Sequence, residues 1–101
     1  MTSVVICDER SHARTALTRT VAAIPTVAHV DCVTDGPGLL AAFAAHPADL
    51  VLIGVHRGHP SGTPAVGRVL DRYPCATVLV YGSVEDTSAL AQLCQWSRYV
   101  A

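Results

Sequence analysis

The chain has 101 residues, half of them apolar and 15% charged, which suits one ordered domain and excludes intrinsic disorder or two full domains. All seven basic residues are arginine; the absence of lysine excludes Schiff-base chemistry, P-loop phosphate binding and lysine-assisted phosphoryl transfer. The net charge is −1 and the arginines are scattered, so no basic stripe is available and direct contact with nucleic acid is not expected.

Ser3 to Cys7 is a short β-branched run that ends at the acidic pair Asp8 and Glu9, the pattern of a buried strand stopping at a polar edge. Ser11 is placed to cap a helix whose apolar positions Ala13, Leu17, Val21 and Ile24 recur at helical spacing, with Pro25 closing it. Val27 to Val33 reads as a second strand, followed by a turn at Asp35, Gly36 and Pro37. The next helix carries Leu39, Leu40, Phe43 and Ala44 and ends before Pro47. Asp49 to Gly54 is a continuous apolar run too short for a helix and bounded by turn signals, hence a third strand.

His56 to Gly62 is a loop rich in glycine and proline. Thr63 and Pro64 mark a helix start, with Val66, Val69, Leu70 and Tyr73 on its apolar side and Pro74 as its stop. Ala76 to Tyr81 is a fourth strand; Glu85, Asp86 and Thr87 open a last helix through Leu90, Leu93 and Cys94; Trp96 to Ala101 is a short terminal strand. Alternating strands and helices, with strands apolar on both faces, predict a parallel sheet covered on both sides. In such a sheet, sites form at the carboxyl ends of the strands, here Asp8–Glu9, Gly54 to Gly62 and Gly82 to Asp86.

Cys7, Cys32, Cys75 and Cys94 lie far apart, each in or beside an apolar run, and behave as reduced small hydrophobes. The start lacks the basic and apolar segments of a signal peptide, and no run approaches the roughly 20 residues of a membrane span. The expectation is a soluble cytoplasmic domain that does not associate with a membrane. Ser61 lacks the flanks of a nucleophile elbow, and Gly36-Pro37-Gly38 is no dinucleotide fingerprint. No enzyme activity and no cofactor are expected.

The first-strand run into Asp8 and Glu9, the Asp49 to Ile53 strand, Gly62 in the loop after it and the Tyr73-Pro74 to Tyr81 passage together resemble a response-regulator receiver domain. The resemblance covers essentially the whole chain and is nearest to actinobacterial regulators that carry a helix-turn-helix output. It implies an α/β three-layer sandwich, flavodoxin-like, with a parallel sheet in the order 2-1-3-4-5. In that family an acidic pair and an aspartate ending the third strand hold Mg²⁺, and that aspartate accepts a phosphoryl group. A Thr or Ser ending the fourth strand and a Lys ending the fifth read the phosphate.

Carried onto this chain, Asp8 and Glu9 match the acidic pair. The acceptor position falls on Gly54, and the Thr/Ser position on Gly82, with Ser83 one residue late. Asp49 cannot substitute, since five residues of strand at about 3.3 Å each put it roughly 16 Å from the opposite edge. The resemblance thus implies a phosphorylation-independent regulatory module in transcriptional control, acting through protein contact as a homodimer or with a receiver-like partner.

Two other readings stay open. The space vacated at Gly54 and Gly82 can form a small-molecule pocket lined also by Cys7 and Val80. Alternatively, His56 and His59, with Asp8 or Glu9, supply the nitrogen and oxygen donors of a metal site; against that, the histidines are ordinary exposed side chains or a pH-sensitive loop. The acidic pair itself has a plain reading, in which it solvates a strand end and the first helix N-terminus. His12, His29 and His46 are isolated in the sequence.

Under the resemblance, residues 1–101 form a single receiver-like domain whose fifth strand is cut short and whose fifth helix is missing. The uncovered sheet face is then an expected interface, with Trp96, Arg98 and Tyr99 as its anchors.

Overall fold

The computed structural model describes residues 2–55 and 63–82. Seven elements follow in strict alternation: β1 (Thr2–Cys7), α1 (Ser11–Ala22), β2 (Val27–Val33), α2 (Gly36–Ala45), β3 (Leu50–Val55), α3 (Thr63–Arg72) and β4 (Thr77–Gly82). The strands form one parallel sheet in the order β2-β1-β3-β4. The parallel α/β sheet expected from the sequence is therefore present, with its first four strands in the expected order 2-1-3-4. The fifth strand, the helix expected from Glu85, the loop histidines His56 and His59, Ser83, and the aromatic cluster Trp96, Arg98 and Tyr99 lie outside the described residues.

Strand alternation divides the core in two. Val5 and Cys7 of β1, Val51 and Ile53 of β3 and Val78 of β4 face α2 and α3, where Leu39, Phe43, Val66 and Val69 are buried against them. Val4 and Ile6 face the other way, onto Leu17 and Val21 of α1, with Leu50 and Leu52 beside them. The β1 strand is thus buried on both sides. Such burial favours an apolar, β-branched run and explains why alternation is absent from its sequence.

Helix boundaries depart from the sequence expectation in physically simple ways. Ser11 is the first residue of α1 rather than its cap; Arg10 holds the extended N-cap position without a side-chain capping bond. Ile24 lies past the end of α1 and is 45% exposed, because the chain leaves the helix in a turn that hydrogen-bonds Ile24 to Val21 and Val27 to Ile24. Asp35, Gly36 and Pro37 are the start of α2, not a separate turn. The Asp35 carboxylate caps α2 by accepting the Gly38 N–H at 2.8 Å, and the proline sits in the first turn, where its missing N–H costs nothing. Asp35→Ala removes this cap and is expected to lower stability by about 1 kcal/mol in urea denaturation; an unchanged midpoint overturns the assignment.

Candidate functional site

The carboxyl ends of β1, β3 and β4 converge on one residue. Asp8 follows directly on β1, continues its pairing by donating its N–H to the Val33 carbonyl at 3.1 Å, and is completely buried. Its carboxylate is held at both oxygens. Oδ1 accepts the Arg10 N–H at 2.8 Å, and Oδ2 accepts the Tyr81 O–H at 2.5 Å. The Arg14 guanidinium donates to the Asp8 carbonyl at 2.7 Å, bringing positive charge to the same turn. A buried carboxylate is tolerated only with such partners, because desolvation otherwise costs several kcal/mol.

Tyr81 reaches Asp8 across an intervening strand, and Gly54 is what lets it through. Gly54 and Tyr81 are register partners in the β3–β4 ladder. A Cβ added at Gly54 would lie 2.7 Å from Asp8 Cγ and 2.9 Å from the Tyr81 hydroxyl oxygen, closer than real side chains tolerate. The residue that the resemblance places at the acceptor position is therefore a glycine whose missing side chain is replaced in space by a phenol from the neighbouring strand.

The electrostatics favour the protonated forms of Tyr81 and Cys7. Burial, and next the hydrogen bond and charge of Asp8, push the Tyr81 phenol far above its ordinary value, so it remains a protonated donor. Burial, followed by the charges of Asp35, Asp8 and Glu9, pushes the Cys7 thiol up to about 12. Cys7 is fully buried, its Sγ lying 3.8 Å from the Asp35 carbonyl oxygen, and at neutral pH it offers no thiolate.

The described residues bear on part of the expected site, while His56 and His59 lie outside them. Asp8 and Glu9 differ in their surroundings: Glu9 is exposed, whereas Asp8 is buried and does not solvate the strand end. The residues expected to line a pocket at Gly54 do not all face one side of the sheet. Cys7 and Val80 belong to the α2–α3 side of the sheet, and the space beside Gly54 is taken by Tyr81. Among the described residues no group of three or more His, Cys, Asp or Glu side chains is arranged to hold a metal. The donor set does not suit the Mg²⁺ that the resemblance implies, because Gly54 supplies no ligand and both Asp8 carboxylate oxygens already accept protein hydrogen bonds. His29 and His46, far apart in sequence, meet with ring centroids 4.4 Å apart, and His29 pairs with Asp31 at 3.1 Å.

Tyr81 is the residue that sequence reasoning missed. Counting the β3–β4 ladder from the strand starts would have found it, since equal-length runs from Leu50 and Thr77 bring Gly54 beside Tyr81. A glycine facing a tyrosine on a neighbouring strand is a signal of close approach.

No family model and no curated protein matches the sequence. Solved structures do match in fold. The signal receiver domain of an HD domain-containing protein from Pseudomonas fluorescens superposes with a TM-score of 0.83 at 18% identity, over 98% of this chain and 78% of that one. A two component transcriptional regulator AraC from Clostridium phytofermentans gives 0.76 at 20% identity, over 100% and 77%. A DNA-binding response regulator of the LuxR family from Staphylococcus aureus gives 0.78 at 10% identity, over 94% and 79%. The chain thus has the fold of receiver domains. No helix among the described residues is long and apolar enough to cross a membrane.

Proposed function

We propose that this chain is a receiver-like regulatory module that works without phosphorylation, in transcriptional control, through contact with a second copy or with a receiver-like protein. The fold supports the receiver part of this reading, and several structures of that fold belong to transcriptional regulators. Fold alone does not carry function. The observation that carries the proposal is the Gly54 position, where an acceptor carboxylate is replaced by the Tyr81 hydroxyl bonded to Asp8.

A phosphoryl group needs a nucleophilic oxygen in line and cations to neutralise the developing charge. At this edge the described residues offer a glycine, a carboxylate turned inward and a phenol held protonated. Signalling then depends on which surfaces meet rather than on a covalent mark, and contact with DNA comes through the partner.

Incubation with acetyl phosphate and Mg²⁺ is expected to leave the intact mass unchanged. A gain of one phosphoryl group on any aspartate overturns the reading. Light scattering at micromolar concentration is expected to show a species larger than the monomer; a strict monomer removes the self-association part and leaves only the heterologous partner.

A further inference from the structure

The amino edge of the sheet, opposite the Asp8 site, gathers polar side chains from β1, β2 and α2. Ser3 and His29 are register partners across β1 and β2, and Asp31 stands two residues further along β2, on the same face as His29. That face looks toward α2, because Val5, the register partner of Asp31, is buried against Leu39 and Phe43. His46 ends α2 as its C-cap, and its ring meets the His29 ring edge to face, with centroids 4.4 Å apart.

His29 Nε2 lies 3.1 Å from Asp31 Oδ2. Two donor atoms bound at about 2.0–2.1 Å to a tetrahedral ion are about 3.3 Å apart, so this pair already has the spacing of two ligands of one ion. Two imidazoles on such an ion have centroids roughly 5 Å apart, slightly wider than the 4.4 Å between His29 and His46. As the side chains stand, no three donors among the described residues converge, and His46 completes the set by a small turn of its ring. Its contact with Ser3 is weak, Nε2 lying 3.5 Å from the hydroxyl oxygen, and an exposed side chain such as this one reorients readily.

The surroundings favour a cation. Asp31 supplies a carboxylate, and the last carbonyls of α2 add partial negative charge beside His46. The His29 and Asp31 side chains are 47% and 35% exposed, so an ion reaches them from solvent without any opening of the fold. Two imidazole nitrogens with one carboxylate oxygen suit zinc and related transition ions rather than Mg²⁺, which takes oxygen ligands.

We propose that His29, Asp31 and His46 bind a divalent ion of the zinc class, with water in the fourth position. The ion ties the end of α2 to β2, the edge strand of the sheet. The site is separate from the Asp8–Tyr81 edge and stands or falls independently of the regulatory reading above.

The test is an amide-resolved NMR titration of the whole chain with Zn²⁺ and, separately, with Mg²⁺. Zn²⁺ is expected to produce saturable shifts at His29, Asp31 and His46, and Mg²⁺ at the same concentration none. His29→Gln, Asp31→Asn and His46→Gln are each expected to weaken zinc binding at least about tenfold, since even groups that only support a metal ligand are worth that much. Cys32 is an exposed thiol on the other face of β2, in contact with Thr18 of α1, and Cys32→Ser is expected to leave the affinity unchanged. Absence of saturable shifts at the three residues overturns the proposal, as does equal binding of Mg²⁺. Zinc binding that survives loss of both histidines, or that falls tenfold in Cys32→Ser, overturns it too. The comparison of the two ions uses the unaltered chain, so a variant that fails to fold does not weaken the test.

Discussion

Gly54→Asp, which writes a carboxylate back into the acceptor position, is expected to destabilise the protein by at least about 4 kcal/mol and to leave it unphosphorylated. Two effects add. The new Cβ falls within 3 Å of both Asp8 Cγ and the Tyr81 hydroxyl, at 2.7 and 2.9 Å, so β3, β4 or the Asp8 turn must shift. The new carboxylate then enters a site that already holds the fully buried Asp8, and two like charges at such range cannot both stay ionised without strong cost.

Gly54→Ala isolates the first effect and is expected to cost about 2 kcal/mol, within the range for overpacking a core. Adding Tyr81→Ala to Gly54→Asp relieves the contact with the phenol, so the double variant is expected to be more stable than the sum of the two single changes predicts. Urea denaturation of the four proteins completes the cycle. A Gly54→Asp protein as stable as the parent, or one that gains a phosphoryl group from acetyl phosphate, shows that the Tyr81–Asp8 contact does not govern this edge.

How far the sequence foretold this site depends on the distance over which each feature is encoded. The strands at Ser3 to Cys7 and Asp49 to Gly54 are legible because burial on both faces demands an unbroken apolar run, and such a run is local. Gly54 stands out once the resemblance aligns it with an acceptor position. Its partner does not, because Tyr81 lies 73 residues from Asp8 and meets it only through the pairing of β1 with β3 and of β3 with β4.

The same reason explains the buried state of Asp8. In sequence it is half of an acidic pair, and partners that include the phenol from β4 and the amide of Arg10 make its burial tolerable while Glu9 stays exposed. Ile24 shows the reverse error: its spacing continues the apolar stripe of α1, but the chain has already turned toward β2 before reaching it. The His29–His46 contact likewise arises from tertiary placement of β2 beside the end of α2, which no local pattern records.

The second large effect is an alkaline loss of stability that Cys7 and Tyr81 share. In the unfolded chain Cys7 ionises near 9.0 and Tyr81 near 10.0, whereas the fold pushes Cys7 up to about 12 and Tyr81 higher still. Between those limits the unfolded state releases protons that the folded state keeps, so it binds fewer protons and gains on the folded state as pH rises. The stabilisation is complete below pH 9 and is lost upward through the folded values, never on acidification.

Each group contributes a slope of at most about 1.4 kcal/mol per pH unit, from pH 9 for Cys7 and from pH 10 for Tyr81. For Cys7, fully buried, the window from 9.0 to about 12 makes the accumulated loss on the order of 4 kcal/mol, a large share of a small domain's stability. Denaturant midpoints measured from pH 7 to 12 are expected to fall from pH 9 and more steeply from pH 10. Cys7→Ala is expected to delay the onset to pH 10, and Tyr81→Phe to remove the steepening while keeping the first limb. Because each variant is compared with itself across pH, its lower starting stability does not enter. A flat profile to pH 11 in the parent chain shows that neither group is held protonated by the fold, and with it falls the picture of Tyr81 as a fixed donor to Asp8.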